Sequence, residues 1–297
     1  MKKFDYSEKY IPSESDRIGQ LEEAKGDERE IPYYSKEVPE SSSTKYEGKM
    51  AVVTYNWKNI YETTLKVQEI RYEDGNDLDG LYKVNVRDGA DRTAFNYKGK
   101  TYIIRKVVKT VAKEIYENAK KVADVVENII GWLKTVAGNF YIITKLDKEA
   151  WVFDKELQAE GIKVLDKDKL SDENKRVLFE QVLEKTADLH LKDYVLGKFS
   201  MDSIMLYDNA VLFTDLRMLN ETRKLSFLVK EFKRILSVLQ SNGFASEEEF
   251  AYGVRYYVTE NPNACKEWFK EEMKKNPSDD EEIAEKLEEK LYSYVSG

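Results

Sequence analysis

Hydrophobic periodicity changes character once along this chain, and that change limits its possible folds more than any other feature. Between Met50 and Leu146 the apolar residues come in short strand-like runs: MAVVTYNW, TTLKVQEIRY, LYKVNV (81–86), TAFNYK (93–98), TYIIRKV (101–107), WLKTVA and NFYIITKL. A period near two, rich in Val, Ile, Tyr and Thr, predicts strands. RDGADR joins the third run to the fourth, and the tight Gly99-Lys100 turn joins the fourth to the fifth, so consecutive antiparallel pairing is expected. One helix interrupts this half, from Thr110 to about Ile130. There Val111, Ile115, Ala119, Val122, Val126, Ile129 and Leu133 fall on one stripe at roughly 100° per residue.

From Ser171 onward the spacing is mostly helical. Ser171 followed by Asp172 and Glu173 is a helix start, because a serine hydroxyl caps the free backbone N–H groups and acids suit the positive end of the helix. That helix runs to about Leu191. Two short strands follow, IMLYD (204–208) and AVLFTD (210–215), turning at Asn209. Helices return at 225–240, 247–258 and 264–275, and a last one starts at Ser278 with Glu281 three residues on, a capping-box spacing. The expected class is therefore α+β: a strand-rich first lobe carrying one helix, then a helical second lobe. The divisions are a polar arm or linker at 1–48, a first lobe at 49–147, a second at 148–275 and a C-terminal helix at 276–297.

Composition removes several kinds of chemistry. The chain has one cysteine, Cys265, and one histidine, His190, so it can form neither an internal disulfide nor a multi-ligand Cys/His zinc site. A lone thiol suits a reducing, cytoplasmic interior. No run approaches the roughly 20 apolar residues that span a bilayer, so no membrane association is expected. The net charge of −8 argues against a general nucleic-acid binder. Heavy use of Lys and Glu with little Cys is a composition found in thermostable proteins.

One stretch is more specific. Residues 189–206 read LHLKDYVLGKFSMDSIML and resemble the protein-kinase-like pattern of a helix ending in Leu-His, a turn, the loop H-R-D-L-x-x-x-N and a strand. Leu189 and His190 take the Leu-His position, where the resemblance gives His190 a packing role. Leu196-Gly197-Lys198-Phe199 takes H-R-D-L, and Ser203-Ile204-Met205-Leu206 takes N-I-L-L. AVLFTDLR stands where the family has a strand ending in D-F-G, with Asp215 at the aspartate. YIIRKV is similar to the V-A-I-K strand, which puts Arg105 at the lysine, or Lys106 if the register slips by one. The 110–130 helix looks like the one whose glutamate pairs with that lysine, and Glu127 is the candidate. VNVRDGADRTAF looks like the phosphate-covering hairpin with Gly89 as its remaining glycine, and 143–147 like the hinge. The resemblance covers about 80–240 and implies a bilobal kinase-like fold with an ATP and magnesium crevice.

The departures from that pattern fall on the chemistry. Lys198 and Ser203 occupy the positions of the catalytic aspartate and the metal-binding asparagine. A charged ammonium cannot accept a proton, and a serine hydroxyl is shorter than an asparagine amide. Asp88 and Asp91 flank Gly89, where acids repel phosphate, and Leu216-Arg217 replaces Phe-Gly. The resemblance thus implies a pseudokinase, a regulatory scaffold with a protein partner, with no confident catalytic residue and weak or absent ATP and magnesium binding. Arg105, Glu127, Gly89 and Asp215 are the candidate nucleotide residues, and Asp215 the candidate metal ligand. Two alternatives remain open: an atypical ATP-dependent phosphotransferase using Asp215 with a displaced acid such as Asp202 or Asp193, and a nucleotide-sensing module without turnover. One further expectation is that Lys198 pairs with Asp215 and neutralises the metal position. Oligomeric state is not readable.

Overall fold

A computed structural model describes residues 41–57, 66–73, 75–76, 78–81, 91–108, 111–154, 157 and 162–295, with the backbone alone over 291–295. The arm before residue 41, the expected strand at 81–86 beyond Leu81, and Gly89 with its neighbour Asp88 lie outside the described residues.

The strand-rich half folds as one antiparallel sheet in the order β1-β2-β3-β6-β7-β5-β4. Its strands are β1 (Ser41–Glu47), β2 (Met50–Asn56), β3 (Val67–Glu73), β4 (Arg92–Tyr97), β5 (Lys100–Val107), β6 (Ile129–Thr135) and β7 (Phe140–Leu146). β1 is a correction to the arm assigned to 1–48. SSSTKYE has no apolar alternation and every residue of it is exposed, yet its backbone pairs along its whole length with β2. The β4–β5 hairpin turns through Lys98 and Gly99 at φ 49° and 72°. Two successive left-handed residues give the turn whose twist matches the flanking strands.

Alternation along β5 sorts its side chains by face. Tyr102 and Ile104 join the core that covers the outer face of the sheet, while Val107 packs toward the helices and Ile103 toward the second lobe. Arg105 therefore points inward with Ile103 and Val107. Lys106 takes the opposite face and is half-buried, which decides the register in favour of Arg105.

The helix of this half, α1 (Ala112–Lys121), stops well before the expected Ile130. Val122, Val125 and Val126 continue the apolar spacing, but they are β-branched and stiff against a preceding turn. The chain turns at Val122 and becomes extended. Phe213 N–H donates to Val125 O at 2.9 Å, and Glu127 N–H donates to Phe213 O at 2.7 Å. Glu127 thus sits on a short strand-like link across the two lobes, not on the helix.

The second lobe begins after β7, with a turn at Asp147–Ala150 and two-residue strands β8 (Trp151–Val152) and β9 (Lys163–Val164). Helix α2 (Asp172–Leu191) starts where expected, and the Ser171 side chain accepts the Asn174 N–H at 3.2 Å. The pairs β10 (Tyr194–Val195) with β13 (Asn220–Glu221) and β11 (Ile204–Tyr207) with β12 (Ala210–Phe213) bracket the loops of interest. Gln181 of α2 pins the β11–β12 hairpin: its amide donates to Asn209 O at 2.9 Å and its Oε1 accepts from Val211 N–H at 3.1 Å. Helices α3 (Leu225–Ser241), α4 (Glu247–Glu260), α5 (Pro262–Met273) and α6 (Asp280–Val295) complete the lobe. α6 starts two residues later than expected. Its end is held by Asp279 Oδ1 on Glu282 N–H and by Glu282 itself, which accepts from Ser278, rather than by a Ser278–Glu281 box. The class is α+β in two lobes, as the periodicity implies. No helix among the described residues is long and apolar enough to cross a membrane.

Candidate functional site between the lobes

The register of the β4–β5 hairpin places Arg92 directly opposite Arg105. Opposed residues share a sheet face, so two arginines point together at the second lobe, and like charges so placed repel. Each is met by its own carboxylate. Arg92 Nη2 donates to Asp154 Oδ1 at 3.1 Å with Nε beside Oδ2, and Asp154 is buried just beyond β8. Asp202 Oδ2 lies 3.9 Å from Arg92 Nη2 at the more open side.

Arg105 is met by Glu127. Its Nη1 donates to Glu127 Oε1 and Oε2 at 2.8 and 2.9 Å, with both residues 1% exposed. Its Nη2 donates to Thr214 Oγ1 at 2.7 Å, and that hydroxyl donates onward to Glu127 Oε2 at 2.7 Å. Asp215 N–H donates to Glu127 Oε1 at 3.1 Å. The expected pairing of Arg105 with Glu127 is present. It comes from the link after α1 and extends through Thr214 into the turn after β12 that carries Asp215. Buried this way, the guanidinium is fully committed to protein partners on its Nη atoms.

Asp215 adopts the left-handed region at φ 58°, which aspartate tolerates better than most residues. Its carboxylate is gripped from two residues on. Arg217 Nε donates to Oδ1 at 2.5 Å and Nη2 to Oδ2 at 2.8 Å, a fork-to-fork pair that uses both oxygens. The remaining Nη1 donates to Asp91 Oδ2 at 2.9 Å, on the approach to β4. Those contacts, Asp215 first, raise the Arg217 pKa, and the same hydrogen bond holds Asp91 below the ordinary carboxylate range.

The expected Lys198–Asp215 pair is not formed. Lys198 is exposed and makes no ion pair among the described residues; its charge adds only slightly to the arginines that lower Asp91. The cation that occupies the Asp215 carboxylate is Arg217. Ser203 is buried, and its hydroxyl accepts Ser200 N–H at 3.2 Å inside a local turn. Its carbonyl accepts Thr214 N–H at 2.9 Å, so Ser203 braces the segment that leads from β12 to Asp215. Asp193 is exposed in a left-handed turn after α2, with its carbonyl bonded to Thr222 N–H.

The loop 196–199 has a buried anchor. Glu231 of α3 accepts Leu196 N–H at 2.9 Å and Gly197 N–H at 2.7 Å, while His190 Nε2 lies 3.1 Å from it and His190 Nδ1 contacts Tyr257 OH. The single histidine is thus a packing and orienting group, as its helix-end position implies. Gly197 has φ 71°, and a Cβ there would meet the Met218 Cβ and O at 2.9 Å. The chain following Asp215 lies directly on this loop and enters α3 at Leu225, leaving no room for a long activation segment. Four residues of the site were not singled out from sequence, Arg92, Asp154, Thr214 and Glu231, and Arg217 was noted only as part of the replacement of Phe-Gly after Asp215. Two carried a signal. The hairpin register sets Arg92 across from Arg105, and Glu231 interrupts an apolar helix face.

No family model and no curated protein matches the chain. Among solved structures, one titled "WaaP in complex with acyl carrier protein" is 13% identical, with a TM-score of 0.45 over 70% of this chain and 88% of that one. A likeness of that size carries no weight beside the element order and the interlobe pairing already described. Among the described residues no group of three or more His, Cys, Asp or Glu side chains is placed to hold a metal ion.

Proposed function

We propose that this chain is a kinase-like scaffold that does not transfer phosphate and acts by binding a protein partner. The observation that carries the reading is the pair of hydrogen bonds from Arg217 to the two oxygens of Asp215. A magnesium ion demands near-ideal octahedral oxygen geometry. To reach Asp215 it would first have to break a bidentate, largely buried ion pair. Arg217 would then keep only its hydrogen bond to Asp91. The other candidates agree. Arg105 is buried against Glu127, the Ser203 hydroxyl closes a turn, and an exposed lysine stands where a proton acceptor is required. The residues present do not fit a magnesium nucleotide.

The test is turnover. Incubation with radiolabelled ATP and magnesium, alone and with generic protein and small-alcohol acceptors, should give phosphate release and transfer no faster than the buffer. Turnover above that background that is lost in Asp215→Asn or Asp202→Asn would overturn the reading in favour of an atypical phosphotransferase.

A further inference from the structure

Helix α3 buries Leu228, Val229, Phe232, Ile235 and Leu236 and turns Phe227, Lys230 and Arg234 outward. Three- and four-residue spacings put the exposed three in one stripe. Lys224 and Lys230 each place their ammonium 5.2 Å from the centre of the Phe227 ring. At the other end of the stripe, Arg234 Nη1 donates to Gly197 O at 3.3 Å. That contact joins the helix to the exposed Lys198 and to Met218, which packs on Gly197 and is 58% exposed. Arg223 and Lys224 lead into the helix and are exposed. Lys224 pairs with Glu271 at 3.2 Å. Among the described residues Lys198, Arg223, Lys230 and Arg234 make no ion pair. Just behind them, burial and the charges of Lys290 and Lys230 hold Lys233 below the ordinary lysine value, with Glu272 opposing.

The result is a positive face with an aromatic and a thioether at its centre, on a chain whose net charge is −8. Crowded like charges oppose the compact state, and an anionic ligand would relieve that repulsion. We infer that this face binds an acidic segment of a partner protein, with carboxylates on Arg223, Lys230 and Arg234 and one apolar side chain against Phe227 and Met218. Basic clusters read acidic motifs in this way, and an exposed aromatic beside cations is the composition of an interface anchor. A short segment feels the local potential, because charge is screened beyond about 10 Å at 0.1 M salt. A short acidic segment also needs only this local face on a chain whose net charge of −8 opposes a long polyanion such as nucleic acid. The inference rests on the scaffold reading in taking a protein as the ligand, and it names the kind of protein.

The probe is a fluorescein-labelled peptide of interleaved glutamate and leucine, titrated by anisotropy against the full chain. Expected results are saturable binding that weakens several-fold between 50 and 200 mM salt and at least about tenfold in Arg223→Glu/Lys230→Glu. Phe227→Ala should also weaken it. The surface reversal Lys100→Glu/Lys148→Glu, with the same change in net charge, should leave it within about twofold. Unchanged melting midpoints confirm that each variant is folded. The inference is overturned by no binding to the wild-type chain, by equal loss in both reversals, or by tighter binding of a single-stranded oligonucleotide. ATP turnover measured on the same samples reports on the scaffold reading separately, since neither reversal touches Asp215, Arg217, Arg105 or Glu127.

Discussion

Glu127→Ala isolates the interaction that joins the two lobes. The carboxylate accepts from Arg105 Nη1, Thr214 Oγ1 and Asp215 N–H, and both it and the arginine are sealed from water. Truncation leaves a buried guanidinium without its counter-charge, a change that costs about 3–5 kcal/mol. The orphaned Thr214 and Asp215 donors add to this, though not additively. Against a total stability of about 5–15 kcal/mol, that is a large fraction. The assay is equilibrium urea unfolding followed by tryptophan fluorescence and circular dichroism. With a slope of about 2–3 kcal/mol per molar urea, the midpoint should fall by roughly 1–2.5 M. A second variant separates charge from packing: Arg105→Met/Glu127→Met removes both charges and should recover most of the loss, because buried ion pairs replaced by apolar side chains are often neutral or better. A fall of less than about 0.3 M in Glu127→Ala would refute the reasoning. It would mean that Arg105 does not depend on Glu127 and is free to serve an anionic ligand.

Three further outcomes follow from the same geometry. Gly197→Ala should cost about 2–4 kcal/mol, because it adds a clash with the Met218 backbone to the left-handed penalty; Gly138→Ala, at φ 84° with open space around it, should cost only about 1–2 kcal/mol, and equal urea midpoints would contradict this. Cys265, whose thiol burial pushes up to about 12, should react with iodoacetamide at pH 8 only on unfolding, at a native rate on the order of a thousandth of the unfolded one. Hydrogen bonds from Lys275 and Ser278 hold Glu282 down at about 2 from 4.5, so its stabilisation of α6 is complete above about pH 4.5 and lost as the pH falls through 2; amide protection in α6, taken relative to the intrinsic exchange rate at each pH, should fall over that window in the wild type and fall less in Glu282→Gln.

Local pattern made much of the architecture readable. The strands and helices with strong periodicity fall within a few residues of their expected places, because side-chain burial enforces the same period the sequence displays. The pairing of Arg105 with Glu127 was readable through the resemblance, which pairs the strand cation with a glutamate of the following helix, although that acid stands on the link after α1 rather than on the helix. The errors have physical causes. α1 looked longer because Val122, Val126 and Ile129 keep helical spacing, yet the chain turns at Val122 and Val125 and Val126 dock as an extended link against Phe213. β1 was hidden because its pairing rests on backbone bonds and exposed polar contacts, with no buried face to leave a mark. The Asp215 partner was misassigned because a family alignment brings Lys198 near it, whereas the left-handed turn at Asp215 brings Arg217 back onto its own carboxylate. Asp154 left no trace in sequence, since its pairing with Arg92 depends on how the lobes meet.

The most direct test of the central claim is calorimetric titration of the full chain with magnesium and ATP. Because Arg217 holds both oxygens of Asp215 and Arg105 is buried on Glu127, the account predicts no saturable heat up to millimolar nucleotide, in wild type and Asp215→Asn alike. A stoichiometric, magnesium-dependent isotherm in the wild type that vanishes in Asp215→Asn would contradict it.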